Sequence, residues 1–334
     1  MQHSVSRRLG GSIVLAVAGV FAASAAQAAP TYHLVDLGAF VGVTDINARG
    51  DVSGYAGSGE LGLWKNGTWH WSTKVDTQAA IDDADDVLSH WQALAPPARL
   101  GLRLRDGSRR VLRADTIDSA SAIALGNDLT AVGQGGRFVA EGKQRLCAIW
   151  QPGRVDATLL PATDGSSCMP AGVDAAGRVY GTAQPAPQAP FQAFVWVDGV
   201  QQFISGGGPD AYVHGVNAAG HLAMTAGDDS SNGAAWYDGT QIVRLDDPAG
   251  ATGAAAWGID AADEIVGNAI STTTHGYVAY WFRPGPAVPL SSLVDNADGW
   301  TMQDALKMNA RGDIIGDGLL GGQPHAFLLQ RTGG

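Results

Sequence analysis

Ile46-Asn47-Ala48-Arg49-Gly50-Asp51-Val52 is the first of seven related phrases in this chain. Each sets out an aliphatic residue, usually an Asn or Asp, two small or variable residues, a turn residue, a polar residue and a second aliphatic. The others read IDDADDV from Ile81, IALGNDL from Ile123, VDAAGRV from Val173, VNAAGHL from Val216, IDAADEI from Ile259 and MNARGDI from Met308. Their starts lie 35, 42, 50, 43, 43 and 49 residues apart. That period belongs to propellers and other repeat architectures rather than to a single-core enzyme.

Downstream of each of the first six phrases, a short apolar strand ends in a tight-turn dipeptide. The dipeptides are Asn66-Gly67, Asp106-Gly107, Pro152-Gly153, Asp198-Gly199, Asp238-Gly239 and Pro284-Gly285. Asn-Gly and Asp-Gly between apolar runs are strong hairpin signals, because both central residues of a type I′ turn need positive φ. Each unit therefore supplies four short strands. Helices are nearly absent from the pattern, and the one candidate, Thr77 to Ala95, reads better as a strand pair plus a longer loop.

The seventh unit lacks its final turn, since His325 to Gln330 is followed only by Arg331-Thr332-Gly333-Gly334. The segment Tyr32 to Gly38 stands ahead of the first phrase as a strand without a unit. Pairing the two completes the last sheet and leaves no open edge at the seam. The expectation is an all-β, seven-bladed propeller of four-stranded blades, closed by the N-terminal strand. An open solenoid would need polar capping units, and neither end supplies one.

Ile46 to Gly54 (INARGDVSG), Met308 to Gly316 (MNARGDIIG) and His325-Ala326-Phe327 resemble the extracellular bacterial HAF-repeat proteins. Ala193 to Gly199 carries the matching strand and turn without the His. The resemblance spans nearly all of the chain after residue 28. It implies export and the propeller-like repeat, and it implies no cofactor or catalytic residue. The second unit departs from the pattern by losing its glycines. Met224 stands in the slot that Gly54, Gly181, Gly267 and Gly316 hold in other units.

Residues 1–28 read as a cleaved signal peptide. Arg7-Arg8 precede an apolar stretch from Ile13 to Phe21, which ends in small residues and the A-x-A site Ala26-Gln27-Ala28. The domain would then run over 29–334, secreted or periplasmic, with no membrane span after cleavage. Removing the two signal-peptide arginines leaves 32 acids against 19 bases, a net charge of -13. That sign repels phosphate backbones, so nucleic acid is not an expected partner. The one basic run, Arg99 to Arg113, alternates with leucines and reads as a solvated strand face. Two cysteines, Cys147 and Cys168, fall within one unit in a chain expected in an oxidising compartment. A disulfide tying a strand to the following loop is favoured over a reactive thiol, as no C-x-x-C or nearby His supports the latter.

Repetition sorts structural residues from spare ones. Trp64, Trp150, Trp196, Trp236 and Trp281 recur in the third strand and are expected between sheets. The glycine slot is expected to allow a close strand approach, and the Asn or Asp to brace its turn. Trp69 and Trp71 alternate along a last strand and suit outer-sheet packing. Outside these slots stand Trp91 beside His90, Trp300 in the loop before the last phrase, and His214 and Trp257 at the same position in successive units. His214 and Trp257, on adjacent blades near the channel mouth, are candidate ligand-binding residues, with Trp91 and Trp300 as further candidates.

No G-x-S-x-G, H-E-x-x-H or Walker pattern is present, and the histidines have no ligand spacing, so no metal and no cofactor are expected. The acidic loop Gly227 to Ser230 reads as turn chemistry in preference to a calcium site. The functional expectation is a monomeric binding or protein-interaction scaffold, acting through one face of the ring on carbohydrate or on an envelope or extracellular protein. A polymer-acting lyase or hydrolase at the channel mouth is the alternative, because a propeller hosts either.

Overall fold

Each phrase closes a short turn between the first two strands of a unit. In the first unit Asn47 N–H donates to Asp51 O at 3.1 Å and Gly50 N–H donates to Asn47 O at 3.0 Å. The pattern recurs down to Asn309 and Asp313 (3.0 Å) and Gly312 and Asn309 (3.0 Å). The turn slot needs positive φ, which Gly50, Gly177, Gly220 and Gly312 supply freely, while Asp85, Leu129 and Asp263 adopt it as non-glycine residues. In the third unit this turn runs from Gly126 to Thr130, so its phrase begins at Leu125, two residues after the expected Ile123. There a glycine replaces the Asn or Asp and a leucine takes the left-handed slot, which disguises the pattern.

The computed structural model describes residues 30–75, 79–90, 98–115, 117–139, 142–160, 166–208, 210–228, 231–283 and 285–333. The expected signal peptide, Trp91 and part of the acidic loop at 227–230 lie outside the described residues. Seven four-stranded antiparallel sheets, numbered here as blades 1 to 7, make up the structure. Their first strands are Gly42–Ile46, Ala79–Ile81, Ser119–Leu125, Cys168–Val173, Asp210–Val216, Ala251–Ile259 and Trp300–Met308. The chain is therefore an all-β, seven-bladed propeller.

Blade 7 comprises Trp300–Met308, Ile314–Leu320, Gln323–Gly333 and, outermost, Thr31–Ala39. The seam pairs Tyr32 with Arg331, His33 with Gln330 and so on to Ala39 with His325, which is the closure expected from the two unpaired ends. In blade 2, Ala79–Ile81 and Val87–His90 are a strand pair, as read. Blade 6 differs from expectation at its rim. Its last strand is only Val288–Pro289, and a short 3-10 helix, Leu290–Leu293, follows.

The Asn-Gly and Asp-Gly hairpins split into two kinds. Asn66-Gly67 and Asp198-Gly199 have positive φ at both residues, as a type I′ turn requires. At Asp106-Gly107 and Asp238-Gly239 only the glycine does. There the Asp carboxylate accepts from backbone N–H groups ahead of it, Ser108 at 2.8 Å and both Thr240 and Gln241 at 2.8 Å, which holds a longer loop.

The glycine slot has a specific cause. Six of the seven first strands carry a one-residue β-bulge at the same place, skipping Thr44, Ile123, Ala171, His214, Trp257 and Leu306 in the register. The residue before the bulge pairs with the glycine slot. A Cβ on Gly54, Gly133, Gly181, Gly267 or Gly316 would run into a carbonyl oxygen of the first strand, those of Gly42, Ser121, Met169, Ala255 and Asp304 respectively. At these five positions the kinked backbone crowds the slot, whereas blade 5 keeps the bulge with a buried Met224 in it. Blade 2, with Ser89 in the slot, pairs without a bulge.

Large apolar side chains fill the wedges between blades. Trp150, Trp196 and Trp281 are buried, while Trp64 and Trp236 are half-buried. Each buried indole removes about 200 Å² from water, on the order of 5 kcal/mol as an upper estimate. Trp150 joins a cluster with Leu100 and Leu112 of blade 2 and donates its indole N–H to Arg113 O at 2.9 Å. Trp69 donates to Leu37 O at 2.7 Å, and Trp71 stacks on it at 4.6 Å. The Cys147–Cys168 disulfide forms, with a Cα–Cα distance of 5.4 Å. It spans two units: Cys147 lies in the third strand of blade 3, and Cys168 opens the first strand of blade 4.

Candidate functional site

The seven phrase turns ring one mouth of the central channel, and the Asn side chains of three of them reach across to the next blade. In Asn47, Asn217 and Asn309 the side-chain oxygen accepts two N–H groups of its own turn. The amide then reaches the next blade, donating to Asp82 O at 3.2 Å, Asp260 O at 2.9 Å and Asn47 O at 2.9 Å. An Asp in this slot braces its turn but has no proton to offer the neighbouring blade. Burial pushes Asp82 and Asp260 up to about 6. Asp174 escapes isolation by accepting from Arg178 Nε at 2.6 Å and Tyr180 Oη at 3.1 Å.

The mouth opens on a cavity of about 440 Å³ that touches all seven blades, with Asp45, Asp83, Asn127, Asp128 and Asn217 among its polar lining. A second chamber of about 380 Å³ is lined mainly by apolar residues, among them Val43, Ala122, Pro170 and Val213. Ala171, His214, Trp257 and Lys307 line both and so form the waist between them. The bulge explains the lining. Thr44, Ile123, Ala171, His214 and Trp257 all face the channel because the extra residue turns the side chain inward, whereas Leu306 packs against blade 1.

His214 and Trp257 are in contact, their rings 4.1 Å apart and tilted by 44°. The His214 Nε2 lies 2.9 Å from Thr225 Oγ1. Burial pushes the imidazole down to about 4, so it is neutral at physiological pH. The Trp257 indole N–H is buried without a hydrogen-bond partner. Across the waist, Lys307 Nζ is 2.9 Å from Asp45 Oδ1, closing a charge pair over the seam of blades 7 and 1. The sequence reading missed Lys307, Asp45 and Thr44. The recurring glycine slot was the available signal, since it marks the opposing residue as the one before a bulge.

The other candidates lie elsewhere or outside view. Trp300 opens the first strand of blade 7 and lines neither chamber. Its ring meets His325 edge-on at 5.8 Å and Phe327 at 5.9 Å, in the cluster between blades 6 and 7. Trp91 lies outside the described residues.

The fold defines the chain as a closed seven-bladed β-propeller with a two-chamber channel. No model of a known protein family matches the sequence, and no curated protein does either. Among solved structures, it is similar to the β-propeller domain of the Trilobed protease from Pyrococcus furiosus, at 11% identity and a TM-score of 0.57, over 87% of this chain and 97% of that one. It is also similar to YCF48 bound to a D1 peptide, at 11% identity and a TM-score of 0.52, over 92% of this chain and 98% of that one. At such identities the likeness speaks to fold.

Proposed function

We propose that this propeller is an exported binding scaffold that takes a carbohydrate chain at the channel mouth. The observation that carries the reading is the His214–Trp257 ring pair at the waist, next to a polar antechamber. A sugar offers an apolar ring face to the aromatic pair and hydroxyl protons to Asp83, Asn127 and Asp128. The arrangement favours binding over hydrolysis or elimination. The polar partner of His214 is a threonine, and the carboxylate of Asp83 is held by Ala48 N–H at 2.7 Å and by Asn127 Nδ2 at 2.6 Å. Export is supported by the disulfide, which suits an oxidising compartment. Among the described residues no helix is long and apolar enough to cross a membrane. Membership of the HAF-repeat proteins is proposed on the repeated phrase and the His325-Ala326-Phe327 strand.

The test is a panel of neutral oligosaccharides (cello-, xylo-, malto- and chito-hexaose) titrated calorimetrically against the chain, Trp257→Ala and His214→Ala. At least one sugar should bind, and Trp257→Ala should weaken it tenfold or more. Binding unchanged in both variants would remove the channel from consideration.

A further inference from the structure

The outer hairpin of blade 2, Ala98–Arg103 and Arg109–Ala114, is the most basic surface of an acidic protein. Arg99, Arg103, Arg105, Arg109, Arg110 and Arg113 are six of the 21 Lys and Arg residues in a chain of net charge -11. The register sets Arg99 directly opposite Arg113, and Arg103 directly opposite Arg109, with Gly101 opposite Val111 between them. All four arginines thus share one sheet face. The other face carries Leu100, Leu102 and Leu112 into the core against Trp150 of blade 3.

Like charges directly opposite one another destabilise a sheet, so this pairing is unexplained by the fold. Counter-charge within the molecule is sparse. Arg113 pairs with Asp156 at 3.1 Å, both well exposed, whereas among the described residues Arg99, Arg103 and Arg109 form no ion pair. The Nε of Arg99 is buried and has no hydrogen-bond partner. The two arginine pairs are four residues apart along the strand, about 13 Å at 3.3 Å per residue. A small anion cannot bridge that distance.

We propose that this face binds an acidic polysaccharide, a linear polyuronate whose successive carboxylates lie along the two arginine pairs. Arginine suits the role, because its planar fork meets a carboxylate in two parallel hydrogen bonds. The charge of the whole molecule selects the partner. The negative remainder of the surface repels a polyanion in proportion to its charge density, which disfavours duplex DNA, with one charge per about 1.7 Å, against a polymer with one charge per sugar. The site is separate from the channel and does not depend on the reading above.

The experiment measures binding of the whole chain to polygalacturonate by affinity electrophoresis and calorimetry, with dextran, duplex DNA and phosphatidylglycerol vesicles as comparison probes. Polygalacturonate should bind, weaken with added salt, and bind at least tenfold less well to the Arg103→Gln/Arg109→Gln variant. Both positions are exposed, and an unchanged unfolding temperature verifies the variant's fold. His214→Ala and Trp257→Ala should bind polygalacturonate as the parent does. The proposal is overturned if the parent fails to bind polygalacturonate, if the arginine variant binds it equally, if a channel variant loses it, or if DNA or vesicles bind as tightly.

Discussion

Replacing Arg331 by Met should loosen the joint between blades 6 and 7 in a pH-dependent way. Arg331 lies in the third strand of blade 7, opposite Tyr32 of the closing strand. Its guanidinium grips Glu264 of blade 6 through both oxygens, at 3.1 and 2.9 Å, and sits 3.5 Å from Asp260. Glu264 is 1% exposed and Asp260 is 2% exposed. Methionine keeps much of the volume but removes the cation, leaving buried carboxylates without counter-charge. Breaking such a pair costs about 3–5 kcal/mol.

The size of the loss depends on protonation. Burial, reinforced by Glu264, already holds Asp260 up at about 6 with Arg331 alongside, and removing Arg331 raises it further. A carboxyl whose folded value is raised loses stability as pH climbs through that value and is relieved when protonated. Arg331→Met should therefore cost about 3 kcal/mol at pH 8 and clearly less at pH 5. Urea unfolding followed by tryptophan fluorescence at both pH values measures this. Adding Glu264→Gln should restore much of the loss at pH 8. A loss below about 1 kcal/mol at pH 8, or equal losses at both pH values, would refute the account.

Gly267→Ala should cost about 2 kcal/mol or more, because the new Cβ meets the Ala255 carbonyl oxygen across the bulge. Gly67→Ala, where a Cβ has open space, should lose less despite its positive φ, as unfolding midpoints would show. Losing the Cys147–Cys168 bridge, whose partners are 21 residues apart, should cost about 3 kcal/mol. Cys147→Ser and the reduced parent should then unfold at similar urea concentrations. Asp317 pairs in register with Asp304, and burial and that neighbour push it up to about 6. The fold therefore binds its proton more tightly than the unfolded chain does, and stability falls as pH rises from about 4 to 6. Asp317→Asn should gain about 1–2 kcal/mol at pH 8 and little at pH 4, read from unfolding midpoints.

The sequence by itself determined the count of blades, the seam and the structural status of most tryptophans, because these depend on local patterns that recur. A left-handed turn slot, an Asn or Asp beside it and an unpaired strand at each end can all be read one unit at a time. Even there, local reading slipped in the third unit, where Gly126 and Leu129 hide the turn. It also assigned type I′ geometry to Asp106-Gly107 and Asp238-Gly239, where the Asp side chain holds a different loop.

Only the tertiary structure decided which spare residues meet. His214 and Trp257 are 43 residues apart in the chain. They touch because the same bulge turns both inward on neighbouring first strands, whereas Trp300 belongs to a wedge between blades. The four arginines of blade 2 likewise become two facing pairs only through strand register. Contacts between blades and alignment across strands depend on how the ring closes, and no stretch of sequence contains that distance.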